Sequence, residues 1–364
     1  MPAIGPALRV PMLGAIALAA ALLPGIASAQ LPALPPGPKL SISVVSHTLP
    51  TQPQVSRVDV PYFREILPRA SNGRIEAQLS THSERNLVGN EIVRLVRSGQ
   101  VEIGAGTLST LSGDVPFLDG IDLAGLSPEL DTAKRIAEAM IPAANRELER
   151  FNTRIIFIMP FPAQEIFCRM PITSLADLRG RKVRTFGNTL VDFVTAVGGQ
   201  PVSIGFGEVY SALERGVVDC GITGTGSGNA AKWNEVTTHL YNLPLSWALT
   251  AYMVNLQWWN RLDPPVRAFM EAFLKEVADK QWELGQLATQ DGIDCNAGIA
   301  ASCRIHTLST RPMTIVQPTD ADRALVRTLF ESTMLPNWVR RCGARCGEVY
   351  NQVIAPISGV RFGG

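Results

Sequence analysis

The stretch Asp177-Leu-Arg-Gly-Arg-Lys-Val-Arg-Thr-Phe186 decides how this chain is read. Arg179, Arg181 and Lys182 flank Gly180, where solvated charges at a turn are ordinary. Asp177 stands four residues before Arg181, placed for a local ion pair if the turn is helical. Arg184 is different. It lies on a short alternating strand over residues 182–186, opposite in parity to Val183 and close to Phe186. In open α/β sheets ligands collect at the carboxyl ends of strands, and a guanidinium held there offers a two-pronged donor to a carboxylate. A simple surface charge is the competing reading.

Outward from that strand, a repeating α/β pattern extends in both directions. On its C-terminal side a helix over 189–197 ends at Gly198-Gly199, and a strand follows around 201–206. A helix over 208–215 then stops at Gly216, and residues 217–222 form another strand. On the N-terminal side, residues 40–46 (LSISVVS), 74–79, 101–106 and 154–159 (RIIFIM) read as strands from their β-branched runs. Helices are expected over 58–70, 90–97 and 128–151. Strands alternating with helices favour α/β layers with largely parallel sheets, and the second series repeats the style of the first. Residues 251–255 read as one more strand. Apolar residues from Val266 to Trp282 then return at helical spacing, predicting one long helix over 265–289 that lies across both domains. An amphipathic helix is expected near 321–331.

The chain has 364 residues, a formal net charge of +1, 46% hydrophobic and 18% charged residues. That composition suits two medium globular domains, and near-neutrality argues against a nucleic-acid partner. Residues 1–29 read as a signal peptide: Arg9 precedes an apolar run, MLGAIALAAALL, and Ala27-Ser28-Ala29 has the form of a cleavage site. Residues 30–39 are a proline-rich arm. All six cysteines, Cys168, Cys220, Cys295, Cys303, Cys342 and Cys346, follow the leader, and an even number in an exported chain suggests disulfides. Cys295/Cys303 and Cys342/Cys346 are plausible local pairs. Cys168 and Cys220 are either a third disulfide or two buried thiols.

Signs of catalysis are thin. Gly224-Thr-Gly-Ser-Gly228 lacks the Gly-Lys-Ser/Thr ending of a phosphate loop and does not complete a dinucleotide fingerprint, so it reads as a connection or cleft lining. The four histidines, His47, His82, His239 and His306, are scattered, and none makes a Cys/His cluster with zinc spacing. No cofactor or metal is expected.

Residues 172–188 (ITSLADLRGRKVRTFGN) and 196–221 (AVGGQPVSIGFGEVYSALERGVVDCG) resemble the central signature of the DctP-type substrate-binding proteins of tripartite ATP-independent periplasmic (TRAP) transporters. The matching elements are Pro171-Ile172, Asp177 to Arg184, Gly199 to Pro201, Glu208 to Leu213, Gly216 to Asp219, and Asn255 with Trp258 and Leu262. The resemblance implies a two-lobed periplasmic binding protein, an α/β fold with a ligand cleft between the lobes. Lobe I would be residues 40–161 plus about 250–289, and lobe II residues 162–249 plus about 290–364 with the cysteine-rich tail. It implies a periplasmic receptor, not an enzyme, that closes on a small organic acid and delivers it to integral membrane permease subunits, and works as a monomer.

On that resemblance Arg184 falls on the arginine that binds the ligand carboxylate, and Phe206 near a ligand-packing aromatic. Gln164, or its neighbour Glu165, stands where many members carry a second arginine. Thr107 marks the first-lobe strand position and Thr223 the position after the Val-Asp-Gly motif. One clear clamp among uncharged neighbours favours a monocarboxylate over a dicarboxylate. Trp247 and Trp259 are candidate ligand-facing aromatics, with domain core as the alternative for each. An exported α/β enzyme acting on a carboxylate, or a binding protein feeding a sensor, are the other readings.

Overall fold

A computed structural model of the protein describes Met1, residues 31–88 and residues 90–363. The leader expected over residues 1–29 lies, Met1 aside, outside the described residues. Two sheets carry the fold. The first begins with β1 (Leu40–Val45), whose Ile42, Val44 and Val45 are buried, paired in parallel with β2 (Ile75–Ser80). Helix α1 (Glu91–Ser98) buries Ile92, Val93 and Val96 and ends at Gly99, which takes a left-handed φ of 75° that glycine adopts without steric cost. It lies directly on β3 (Ile103–Thr107): a Cβ at Gly104 would sit 2.6 Å from the Val96 side chain.

Beyond α2 (Leu130–Leu148), β4 (Thr153–Met159) completes the outgoing path of the first sheet. The chain crosses through residues 160–163 into the second sheet, which holds β5 (Gln164–Cys168), β6 (Lys182–Thr185), β7 (Gln200–Ser203), β8 (Cys220–Gly224) and β9 (His239–Tyr241). Between these strands lie α3 (Asn188–Ala196), α4 (Val209–Glu214) and α5 (Thr225–Ala230). Residues 242–249 cross back to β10 (Thr250–Asn255). The long α6 (Pro264–Asn296), β11 (Thr314–Val316), α7 (Asp320–Leu329) and α8 (Leu335–Cys342) follow. Strand order is β2-β1-β3-β10-β4 in one sheet and β11-β9-β5-β8-β6-β7 in the other. This is the two-lobed α/β architecture expected from the sequence.

Three local expectations are corrected. The sheets are mixed rather than largely parallel, because β10 runs antiparallel to β3 and β4, and β5 antiparallel to β8 and β9. A chain that leaves one lobe on β4 and returns beside it on β10 must run the opposite way. The helix expected over 58–70 is present but begins earlier and is largely π-helical, with segments Gln54–Asp59 and Tyr62–Ile66 running into α-helix at Leu67–Ala70. Pro61 between them has no N–H, so an unbroken α-helical ladder cannot pass through it. Asp177 acts first as a cap, with Arg181 a lesser electrostatic neighbour: its Oδ2 accepts from Thr173 N at 2.7 Å and Ser174 N at 3.2 Å. Those bonds, Thr173 first, hold its carboxyl below the ordinary range.

Helix α6 runs seven residues past its expected end and grips both sides of the crossing. Trp282 Nε1 donates to Ile158 O at 2.9 Å, Ala163 N donates to Thr289 Oγ1 at 3.0 Å, and Thr225 Oγ1 donates to Thr289 O at 2.9 Å. Its glycines allow this approach. A Cβ at Gly285 would meet Pro160 at 2.5 Å, and one at Gly292 would meet the backbone nitrogen of Gly226 at 2.6 Å.

The cysteines pair as Cys168–Cys220, Cys295–Cys303 and Cys342–Cys346. The first joins directly opposed residues of β5 and β8, 52 residues apart in sequence. In the chain-entropy model a link of that span is worth about 4 kcal/mol. The tail is packed rather than loose: Trp338 is fully buried and donates to Pro116 O at 2.9 Å, and Arg341 pairs with Asp192 at 2.7 Å.

Gly292→Ala tests the close approach of α6 to α5. Alanine gains about 1 kcal/mol of helix propensity, but its methyl would press on backbone that cannot move aside cheaply, a cost of about 1–3 kcal/mol. The melting temperature is expected to fall; a rise would show that the helices separate freely.

Candidate functional site

Strand β6 lies between β8 and β7, with Arg184 opposite Gly221 on one side and Val202 on the other. The side chain of Arg184 therefore shares a sheet face with Gly221 and, two residues on, with Thr223. Gly221 has no side chain, and the Trp233 ring fills that space: a Cβ on Gly221 would lie 2.8 Å from Trp233 Cζ3. The Arg184 guanidinium carbon stands 5.2 Å from the Phe186 ring centre, 5.7 Å from Trp233 and 5.8 Å from Phe206. Three aromatic rings thus surround a cation within the range where ring quadrupoles attract it.

Arg184 is only 2% exposed. Its Nε donates to Ile204 O at 3.1 Å and its Nη1 to Ile222 O at 2.8 Å. Among the described residues its hydrogen bonds go to these carbonyls and none to a carboxylate. A guanidinium carries five N–H donors, so the two bonds orient the fork and leave donors over. Burial pulls the Arg184 pKa down to about 9. The group stays charged at neutral pH and carries a desolvation cost that two neutral carbonyls only partly offset.

Glu165 lies opposite Thr223 on β5, on the same face, and is fully buried. Burial drives its carboxyl well above the ordinary range. In the orientation that satisfies both its ends, the Asn242 amide donates to Glu165 Oε1 at 2.7 Å. The side chain is thus a buried carboxyl on the same face as Arg184, and among the described residues Arg184 makes no hydrogen bond to it.

The first lobe contributes a buried polar cluster at the carboxyl end of β1. Buried Asp59 accepts from the Ser46 and Tyr252 hydroxyls and from Gln281 Nε2 at 2.9 Å. Tyr252 Oη and His47 Nε2 are 2.9 Å apart. Burial, with His82 adding to it, lowers the His47 pKa to about 3, while burial raises Asp59 to about 6. The loops after β3 and β6 touch across the lobes: a Cβ on Gly187 would lie 2.6 Å from Ser109 Cβ.

The structure brings Arg184, Phe206 and Thr223 into one neighbourhood. Thr107 ends β3 in the other sheet, its Oγ1 3.3 Å from Thr250 Oγ1. Gln164 points to the opposite face from Glu165, its Nε2 donating to Pro162 O at 2.8 Å. Trp247 lies on the second crossing, its indole N–H bonded to Ser127 O at 2.9 Å. Trp259 is buried in the first-lobe core among Leu262, Val266 and Phe269. Trp233 was not singled out from the sequence; only the register of Gly221 against Arg184 would have found it. The glycine run is packing rather than cradle: His306 lies against Gly226 and Phe167 against Gly228.

The chain belongs to the bacterial extracellular solute-binding proteins of family 7, the DctP family, whose pattern matches residues 45–328. These are the periplasmic binding proteins of TRAP transporters. The C4-dicarboxylate-binding periplasmic protein DctP of Rhodobacter capsulatus is 24% identical over 222 residues, covering 60% of this chain and 66% of that one. Two solved structures share the fold. A TRAP periplasmic solute-binding protein of Desulfovibrio salexigens with bound orotic acid has a TM-score of 0.75 at 20% identity, over 88% of this chain and 100% of the other. DctP7 of Bordetella pertussis, an extracytoplasmic solute receptor binding pyroglutamic acid, has a TM-score of 0.74 at 19% identity, over 88% and 99%.

Asp122 secures the second crossing, accepting from Trp247 N at 3.1 Å and Leu249 N at 2.9 Å. Burial raises its pKa to about 7 against those bonds. A carboxyl raised in the folded state contributes stability that is complete below its unfolded pKa and is lost as pH rises through about 7. Relative to Asp122→Asn, the natural protein should therefore gain up to about 4 kcal/mol between pH 8 and pH 4. Denaturant melts at both pH values read this; parallel pH profiles would contradict it.

Proposed function

We propose that this protein is the receptor of a TRAP uptake system for an organic acid anion with a single clamped carboxylate. It binds the anion between its lobes as a monomer and hands it to membrane permease subunits. Arg184 takes the carboxylate, Phe206, Phe186 and Trp233 hold the guanidinium in place, and Thr223 and Thr107 face the body of the ligand from the two lobes. The single observation that carries this reading is a buried guanidinium, oriented by two backbone carbonyls, with donors left over and no carboxylate bonded to it.

A monocarboxylate is favoured over a dicarboxylate because the residues gathered around Arg184, Phe186, Phe206, Trp233 and Thr223, include no second cation. Burial also lowers the His47 pKa to about 3, so its ring supplies none. A second ligand carboxylate would be buried without a cation, at a cost of several kcal/mol. The bound relatives are mixed in this respect: orotic and pyroglutamic acids carry one carboxyl each, whereas the receptor from Sulfurospirillum deleyianum holds succinate.

Thermal unfolding against aliphatic, aromatic, hydroxy and cyclic monocarboxylates and C4-dicarboxylates tests the class. At a concentration one hundred times Kd a ligand stabilises the folded state by about 2.7 kcal/mol, a rise of about 4 °C for a chain of this size. The rise is expected with a monocarboxylate. A rise confined to dicarboxylates would overturn the single-clamp reading.

A further inference from the structure

Arg57 lies in the π-helical segment Gln54–Asp59 and is exposed. The segment is rooted in the first lobe through Asp59 and through Gln54, whose carbonyl accepts from Gln281 Nε2 at 3.0 Å. Arg57 nonetheless reaches the other lobe. Its Nη2 donates to Arg304 O at 3.1 Å and to Ile305 O at 3.0 Å.

Those carbonyls belong to the loop that follows α6, and the loop is fixed to the second lobe at several points. The Cys295–Cys303 disulfide closes it onto the end of α6. Asn229 of α5 binds Thr307 in both directions, Nδ2 to O at 2.8 Å and N to Oδ1 at 3.0 Å. The His306 ring packs on Gly226. Within the loop, the backbone N–H groups of Arg304, Ile305 and His306 all converge on the Asp291 carboxylate, which also bonds His306 Nδ1 at 2.8 Å. Peptide N–H and C=O groups point in opposite directions. Turning three successive N–H groups inward to Asp291 therefore turns the carbonyls of Arg304 and Ile305 outward, where Arg57 meets them.

We propose that Arg57 and this disulfide-stapled loop form a latch between the lobes that favours the closed receptor. The guanidinium supplies one charged donor from the first lobe. The loop supplies two preorganised acceptors from the second, held in place by Cys295–Cys303 and Asp291. Both hydrogen bonds are made by one charged donor, and their loss is expected to shift the closed-to-open ratio by about tenfold. Its role in retaining a bound anion rests on the receptor reading, but its existence does not. Opening breaks the Arg57 contact and leaves the loop itself intact, which makes the latch reversible.

The test uses the mature protein without added ligand, so its outcome is independent of whether any organic acid binds. Donor and acceptor dyes at Glu76→Cys and Arg215→Cys, exposed positions on the first and second lobes, report the lobe separation of single molecules. Arg57→Ala is expected to lower the closed-to-open ratio about tenfold. The paired variant Cys295→Ser/Cys303→Ser is expected to lower it as well, and adding Arg57→Ala to that variant should then have a smaller effect. Arg57 is exposed, so its variant keeps the core intact even if the serine pair folds poorly. A ratio within about twofold of the natural protein in Arg57→Ala overturns the latch. An equal effect of Arg57→Ala with and without the disulfide overturns the role given to the staple.

Discussion

A guanidinium taken out of water without a carboxylate beside it is the constraint around which this protein is arranged. Arg184 is oriented by two backbone carbonyls and enclosed by three aromatic rings. Each of those features depends on the sheet. Ile222 supplies its carbonyl from the strand beside β6, Ile204 from just beyond β7, and Gly221 leaves the space that Trp233 occupies. The rings and carbonyls soften the loss of hydration without cancelling the charge. The remaining attraction is available to an anion entering from solvent, and only when the surrounding walls exclude competing water.

Under the proposed function, the rest of the fold brings a second wall to that cation. Two crossing segments join the sheets, and both are tied to neighbours by hydrogen bonds: Ala163 to Thr289 of α6, Trp247 and Leu249 to Asp122. Helix α6 passes behind both lobes, and its glycines let it touch Pro160 and α5 at backbone distance. With two crossing segments between the sheets, a few residues would have to absorb any change of angle between the lobes, as in a hinge. The first-lobe cluster is polar and carries no cation on His47, because burial holds that ring unprotonated.

Much of this was legible in the sequence where local pattern and structure coincide. β1, β4, β6 and α6 declare themselves through β-branched alternation or helical periodicity, and Arg184 through its parity on a short strand. Three kinds of feature were not legible. Gln164–Cys168 is a fully buried strand whose sequence, QEIFC, carries two polar residues, and β9 beside it and β11 beyond are three residues each, too short for any period. Trp233 reaches Arg184 only through a glycine on an adjacent strand, a relation between residues distant in sequence. Glu165, standing where many members of the family carry a second arginine, is shown only by its register on β5 to be a fully buried carboxyl with the Asn242 amide as its partner. Trp247 and Trp259 illustrate the converse, since an aromatic residue in sequence does not declare whether it faces a ligand, a hinge or a core.

The most direct measurement is a two-by-two titration: the organic acid that most raises the melting temperature and its primary amide, each against the natural protein and Arg184→Gln. A carboxylate bonded to a desolvated guanidinium should show a coupling of about 2–5 kcal/mol between the two changes. In that case the acid binds the natural protein far better than its amide, and Arg184→Gln discriminates little between them. A coupling near zero, with acid and amide separated equally in both proteins, would place the carboxylate away from Arg184 and contradict the account.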